Sequence, residues 1–180
     1  MSSSTQPTAE QKIADALRAA PAYITETATV VDWDLTTVLR AGSSDWTCVP
    51  TFPGKPASAP MCADQTTMQW FKEVSAGTSP TIDRIGISYM LMGEVGADFD
   101  HPEATQPPEG KDWYHAGPHV MCVFPSGTGH ILQDLGTNTD SGLPYARPMP
   151  GAEPLLVVPV AKPGEQICAC PSTCSCDCQR

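Results

Sequence analysis

The chain has few cations: 10 Lys and Arg stand against 20 Asp and Glu, for a net charge of −10 and a pI near 4.6. Nucleic-acid phosphates would be repelled by such a surface, which excludes that partner class. Long apolar runs are missing too. The stretch Leu155 to Ala161 is far too short to span a bilayer, so no membrane span is expected. The opening Met1-Ser-Ser-Ser-Thr-Gln-Pro7 carries neither a basic region nor an apolar one and does not read as a secretory signal. Phosphate-loop and nucleophile-elbow spacings are also absent. Gly127-Thr-Gly-His130 is neither, and Ser126 has no elbow context. With no catalytic constellation to assign, the expectation is that the protein is not an enzyme.

What is present is proline, glycine and cysteine. Nineteen prolines and fourteen glycines imply stiff connections between short elements, and 180 residues suffice for one well-buried domain. Thr8-Ala-Glu-Gln11 has capping-box spacing and opens a helix carrying Ile13, Leu17 and Ala20 up to Pro21. Residues 28–31 and 36–39 flank Asp32-Trp-Asp34 as a hairpin, and residues 46–49 form a further strand. Asp64 caps a second helix, with Met68, Phe71 and Val74 on one face and Gly77 closing it. Residues 84–92 alternate with Ile85, Ile87, Tyr89 and Leu91 facing one way, and residues 120–124 and 155–160 are two more apolar strands.

Strands mixed with two separated helices predict an α+β domain with a mainly antiparallel sheet. Its expected layout is a disordered N-terminus over 1–7, a globular body over 8–161, a linker over 162–167 and a tail over 168–180. Residues 93–117 and 125–154 are read as long connections. The first holds Asp98, Asp100, His101 and Glu103, oxygen and imidazole donors at close range that match no established calcium or zinc spacing.

Cysteine is where the sequence is most specific. Cys168, Cys170, Cys174, Cys176 and Cys178 put five of the eight cysteines into C-x-C-x3-C-x-C-x-C within the last thirteen residues. That tail has almost nothing apolar to bury, whereas closely spaced thiolates suit Cu(I) or Zn(II). It resembles a metallothionein segment in miniature. Copper or zinc held by these thiolates is therefore the first functional reading. The alternative makes residues 168–180 the core of a ribosomally made, post-translationally modified peptide, with residues 1–167 as a large leader. Ser172, Thr173 and Ser175 interleave with the thiols as modification sites, and the partner is then a peptide-modifying enzyme. A disulfide-knotted or simply unpaired tail, with no partner, is the third reading.

Cys48 and Cys62 enclose a Pro- and Gly-rich loop, and joining them would stabilise the fold by roughly 3 kcal/mol. A bridge there would suit an oxidising compartment and so hints at export, the alternative being a cytosolic chain in which the pair stays reduced. Cys122, inside an apolar run, reads as a small buried hydrophobe. In the body, His119 follows Gly117-Pro118 at the mouth of a strand. With Met121, and with Met90 and Met92 nearby, it makes a copper-like donor set to which His101 is a further candidate.

Four short segments, Trp46-Thr-Cys48, Pro60-Met-Cys-Ala-Asp64, Gly86-Ile-Ser-Tyr-Met-Leu91 and Gly117-Pro-His-Val-Met121, resemble the ordered motifs of a group of uncharacterised bacterial proteins. The likeness covers roughly residues 12–160 and implies a common fold unit and export, with no reaction attached. This chain departs from that group in its opening segment, in its added cysteine tail and in lacking a histidine in the last strand.

Overall fold

A computed structural model of the chain describes residues 6–98, 104–139 and 141–162. The expected tail sites, from Cys168 to Cys178 with Ser172, Thr173 and Ser175, lie outside the described residues, as do Asp100, His101 and Glu103.

Helix α1 (Ala9–Ala16) starts on the anticipated capping box, in which the Thr8 hydroxyl accepts from the Gln11 amide and the Gln11 side chain accepts from Thr8. It stops four residues earlier than the spacing suggested, and a short second helix, α2 (Ala22–Thr25), begins after Pro21. Pro21 thus starts a helix as well as ending the pattern, because a proline nitrogen loses nothing at a first turn. Strands β1 (Thr29–Val31) and β2 (Val38–Arg40) form the expected hairpin, followed by β3 (Thr47–Val49) and β4 (Met61–Ala63). Helix α3 (Gln65–Ser75) is capped by Asp64, whose carboxylate accepts from the Thr67 amide at 2.7 Å. Gly77, at φ +71°, turns the chain away at its far end.

The main sheet is completed by β5 (Gly86–Met90), β8 (His119–Val123), β9 (Tyr145–Arg147) and β10 (Leu155–Pro159). Its eight strands run in the order β2-β1-β3-β4-β5-β8-β10-β9. The β1–β3 pair is parallel and the other neighbours are antiparallel. The fold is a mixed sheet with few, short helices. Strands β6 (Glu94–Gly96) and β7 (Tyr114–Ala116) pair as a separate small ribbon.

Two expectations are corrected here. The segment 93–117 is not simply a polar connection, since it contributes the β6–β7 ribbon with Val95, Ala97 and Ala116 buried. The segment 125–154 holds a 3-10 turn (Gly129–Leu132) and edge strand β9. The alternation expected over β5 is present, and its larger apolar side chains take the less buried face. Gly86, Ser88 and Met90 point into the core, while Ile85 and Ile87 stand 55% and 39% exposed. Space decides this phase, because a Cβ on Gly86 would sit 2.7 Å from the Thr67 amide of α3, so only a residue without one lets the helix approach.

Each face of the sheet is covered. On one, α1, α2 and the turn between them lay Ala16, Ala19, Ala20 and Ile24 over Val30, Cys48 and Cys62. On the other, α3 sets Met68 and Trp70 against Val31, Val49, Met61, Ala63, Met90, Met121 and Val157. Trp70, not Phe71, is the deepest aromatic of α3, while Phe71 and Val74 pack partly buried at its flank.

Candidate functional site

Of the two readings of Cys48 and Cys62 the structure has the bridge, and the two residues face each other directly across β3 and β4 with Cα atoms 4.0 Å apart. Both are fully buried under α1, with Trp46 and Tyr89 packed beside them at a ring separation of 5.5 Å. The enclosed loop has more support than its composition suggested. The Asp15 carboxylate accepts from the Thr51 amide at 2.8 Å and from the Ser58 hydroxyl at 2.6 Å, and Trp33 Nε1 donates to the Thr51 carbonyl at 3.0 Å. Cys122 is half-buried on the same face as the disulfide. Burial, with the Asp64 charge behind it, pushes its thiol pKa up, so it stays protonated at neutral pH.

The opposite face holds a buried polar cluster that the sequence did not reveal. Arg147, on edge strand β9, donates from Nη1 to Glu94 Oε2 and from Nη2 to the Tyr114 hydroxyl, and that hydroxyl donates to Glu94 Oε1 at 2.8 Å. The side chains of Arg147 and Glu94 are only 6% and 17% exposed. The ribbon positions both acidic and phenolic partners. Gly96 lies where a Cβ would come within 2.0 Å of the Tyr114 ring, so the missing side chain lets that ring cross over β6.

The electrostatics follow from this packing. Burial alone would raise the Glu94 carboxyl, but the Arg147 guanidinium, aided by His119 and Tyr114, brings it down to about 2. Burial and then the Glu94 charge push Tyr145 up to about 12 and raise Tyr114 as well, so both phenols stay protonated. Glu94 is ionised with both oxygens engaged, which leaves no free base. The cluster has the chemistry of a clamp between ribbon and sheet.

His119 opens β8, where the sequence placed it, but it lies beneath the surface and not at an open mouth. It is 1% exposed and shares the buried face with Met90, directly opposite on β5, and Met121, two residues along β8. Met92 falls beyond the end of β5. The structure therefore brings together His119, Met121 and Met90 of the anticipated body set.

Among the described residues, no three or more His, Cys, Asp or Glu side chains converge as a metal cluster. The Gly127–His130 loop is closed by the chain's own carboxylate, as Glu153 accepts from the Gly127 amide and, at 3.0 Å, from that of Gly129. Ser126 Oγ donates to the Pro80 carbonyl. A surface cavity of about 830 Å3, bordered by Asp45, Gln69, Lys72, Glu73 and Arg84, lies apart from the cluster and carries both signs of charge.

The comparisons add no relative. No family model, curated protein or solved structure matches the chain.

Among the described residues no helix is long and apolar enough to cross a membrane. The signal that could have exposed Glu94 and Arg147 is weak. Each is a single charge beside apolar neighbours in a segment rich in glycine or proline, and 53 residues separate them.

Proposed function

We propose that the chain is a non-enzymatic soft-metal-binding protein in which the folded body carries the thiolates of Cys168, Cys170, Cys174, Cys176 and Cys178 as its principal site for Cu(I) or Zn(II). The observation that carries this reading is how the eight cysteines divide. Two are locked in a buried bridge and the third is a half-buried thiol held protonated. Thiolate chemistry thus falls to the five at the C-terminus, which lie within eleven residues, so little chain entropy opposes their convergence.

Intact mass under native conditions tests it. The protein should carry Cu(I) or Zn(II) at neutral pH and lose it in acid, as thiolates reprotonate. Replacing Cys174, Cys176 and Cys178 together by Ser should abolish binding tighter than about micromolar. Retention of tight metal by that variant would sink the proposal.

One observation favours the peptide-precursor reading. The last strand ends at Pro159, and its last described backbone bond to the β8 side runs from the Ala161 amide to the Pro118 carbonyl, so a cut beyond residue 162 spares every described strand. A core over 168–180 could be released from an intact leader. Mass losses of water or hydrogen confined to Ser172, Thr173, Ser175 and the tail cysteines would establish that reading instead.

A further inference from the structure

His119 heads the large side chains that the fold buries completely. Its Nδ1 lies 2.6 Å from the Gly117 carbonyl oxygen, which has no proton to give. Nδ1 must therefore carry the hydrogen, and Nε2 of the neutral ring carries a lone pair. That nitrogen is buried and has no hydrogen-bond partner. Burial keeps the ring neutral by lowering its pKa, against the opposing pull of Glu94.

The neighbours of the ring are set by register. Met90 stands opposite on β5, Pro159 opposite on β10, and Met121 follows on the same face of β8. Neither a thioether nor a proline ring can donate a hydrogen bond, so these residues cannot satisfy Nε2. Directly opposed residues have Cβ atoms ~5 Å apart, and residues two apart on a strand are separated by ~7 Å. Methionine side chains, with three flexible torsions, span both gaps.

We propose that His119 Nε2 and the thioethers of Met90 and Met121 form a second, buried site for a monovalent soft cation such as Cu(I). An imidazole nitrogen with two thioethers is a set that such a cation prefers and that Zn(II), which favours thiolate, imidazole and carboxylate, does not. The Gly117 carbonyl does what a metal-bound imidazole needs from behind, fixing the tautomer and aiming Nε2. The Glu94–Arg147 pair is neutral overall, so a single added positive charge meets no net repulsion. The site is independent of the tail reading.

Ag(I), which is redox-inert and equally soft, is the probe. The full-length chain is prepared with Cys122 and all five tail cysteines replaced by Ser, so that no free thiol remains. One equivalent of Ag(I) should bind, displacing the His119 Nε2 nitrogen resonance while the Nδ1–H signal persists, and Zn(II) should not compete. M90L and M121L conserve volume and should each weaken binding by at least about tenfold without loss of cooperative melting. No Ag(I) bound by the cooperatively folded six-Ser chain would overturn the proposal, as would unchanged affinity in both Met variants. An Nε2 resonance already shifted to that of a hydrogen-bonded acceptor before Ag(I) is added would overturn it too, assigning the lone pair to water. Failure of the tail reading is separate, and would show as wild-type protein binding no more metal than the six-Ser chain.

Discussion

The two faces of the main sheet are held by different chemistry. Beneath α1 and α2 the contacts are small and apolar, with the Cys48–Cys62 bridge at their centre. On the α3 side the contacts are methionines and aromatics, and at the edge of that layer a charged pair is sealed under the β6–β7 ribbon. A covalent bridge is indifferent to pH and sensitive to reductant, whereas an ion pair is the reverse. Stress applied to one face should therefore leave the other largely unmoved.

The ionic face should show the largest effect. R147M strands the Glu94 carboxylate in a dry site, and breaking one half of a buried pair costs about 3–5 kcal/mol, readable by urea unfolding at pH 7. The double variant E94Q/R147M should recover much of that loss, because no buried charge is then left alone. The pH profile sharpens the same point. Glu94 has a folded pKa of about 2 against an ordinary value of 4.5, so its contribution is complete above about pH 4.5 and is lost as pH falls towards 2. His119, with its pKa lowered from 6.5, acts in the same direction, since the unfolded chain takes up that proton first. E94Q should flatten the acid limb below pH 4.5. An unchanged limb would mean that other carboxylates govern acid unfolding.

On the covalent face, C48A/C62A should cost about 2–3 kcal/mol. Loop closure alone would contribute roughly 3 kcal/mol, and the bonds from Asp15 to Thr51 and Ser58 already restrain part of that loop. The loss should be independent of pH between 3 and 8 and should be mimicked by reductant in the wild type. A pH-dependent loss would couple the two faces and break the comparison.

Much of this architecture was legible because its signals are local. A capping box at Thr8, an Asp cap at position 64 with Gly77 beyond it, and β-branched runs around Asp32 each depend on neighbours within a few residues. The cysteine pair was legible because it encloses a short loop between apolar runs. The charged clamp was not, since Glu94 and Arg147 meet only through strand order, with β9 reached by a long excursion. His119 was visible as a residue but not in its setting, because its neighbours Met90 and Pro159 come from strands far away in sequence.

A smaller effect is expected at the C-terminus. Truncation after Lys162 removes no described strand or core residue, so the melting temperature should stay within about 3 °C. Loss of cooperative unfolding in that chain would make the tail part of the core and would remove the picture of an appendage on a finished body.

The smallest effect should come from β5, where the larger apolar side chains do not take the more buried face. Ile87 looks like a core residue by type, yet it is 39% exposed, and its neighbour Ser88 is fully buried with a hydroxyl that has no hydrogen-bond partner. I87T should therefore change stability by no more than about 0.5 kcal/mol. S88A should be neutral or stabilising by up to about 1 kcal/mol, because it removes an unsatisfied buried group. The reverse outcome, a costly I87T beside a costly S88A, would mean that Ile87 packs against a partner in solution and that Ser88 bonds within the core. A sheet slipped by one residue would instead make I87T costly and leave S88A neutral, because the two residues would exchange faces, and it would turn His119 away from Met90 as well. This pair of conservative changes thus checks the register on which the buried His–Met site depends.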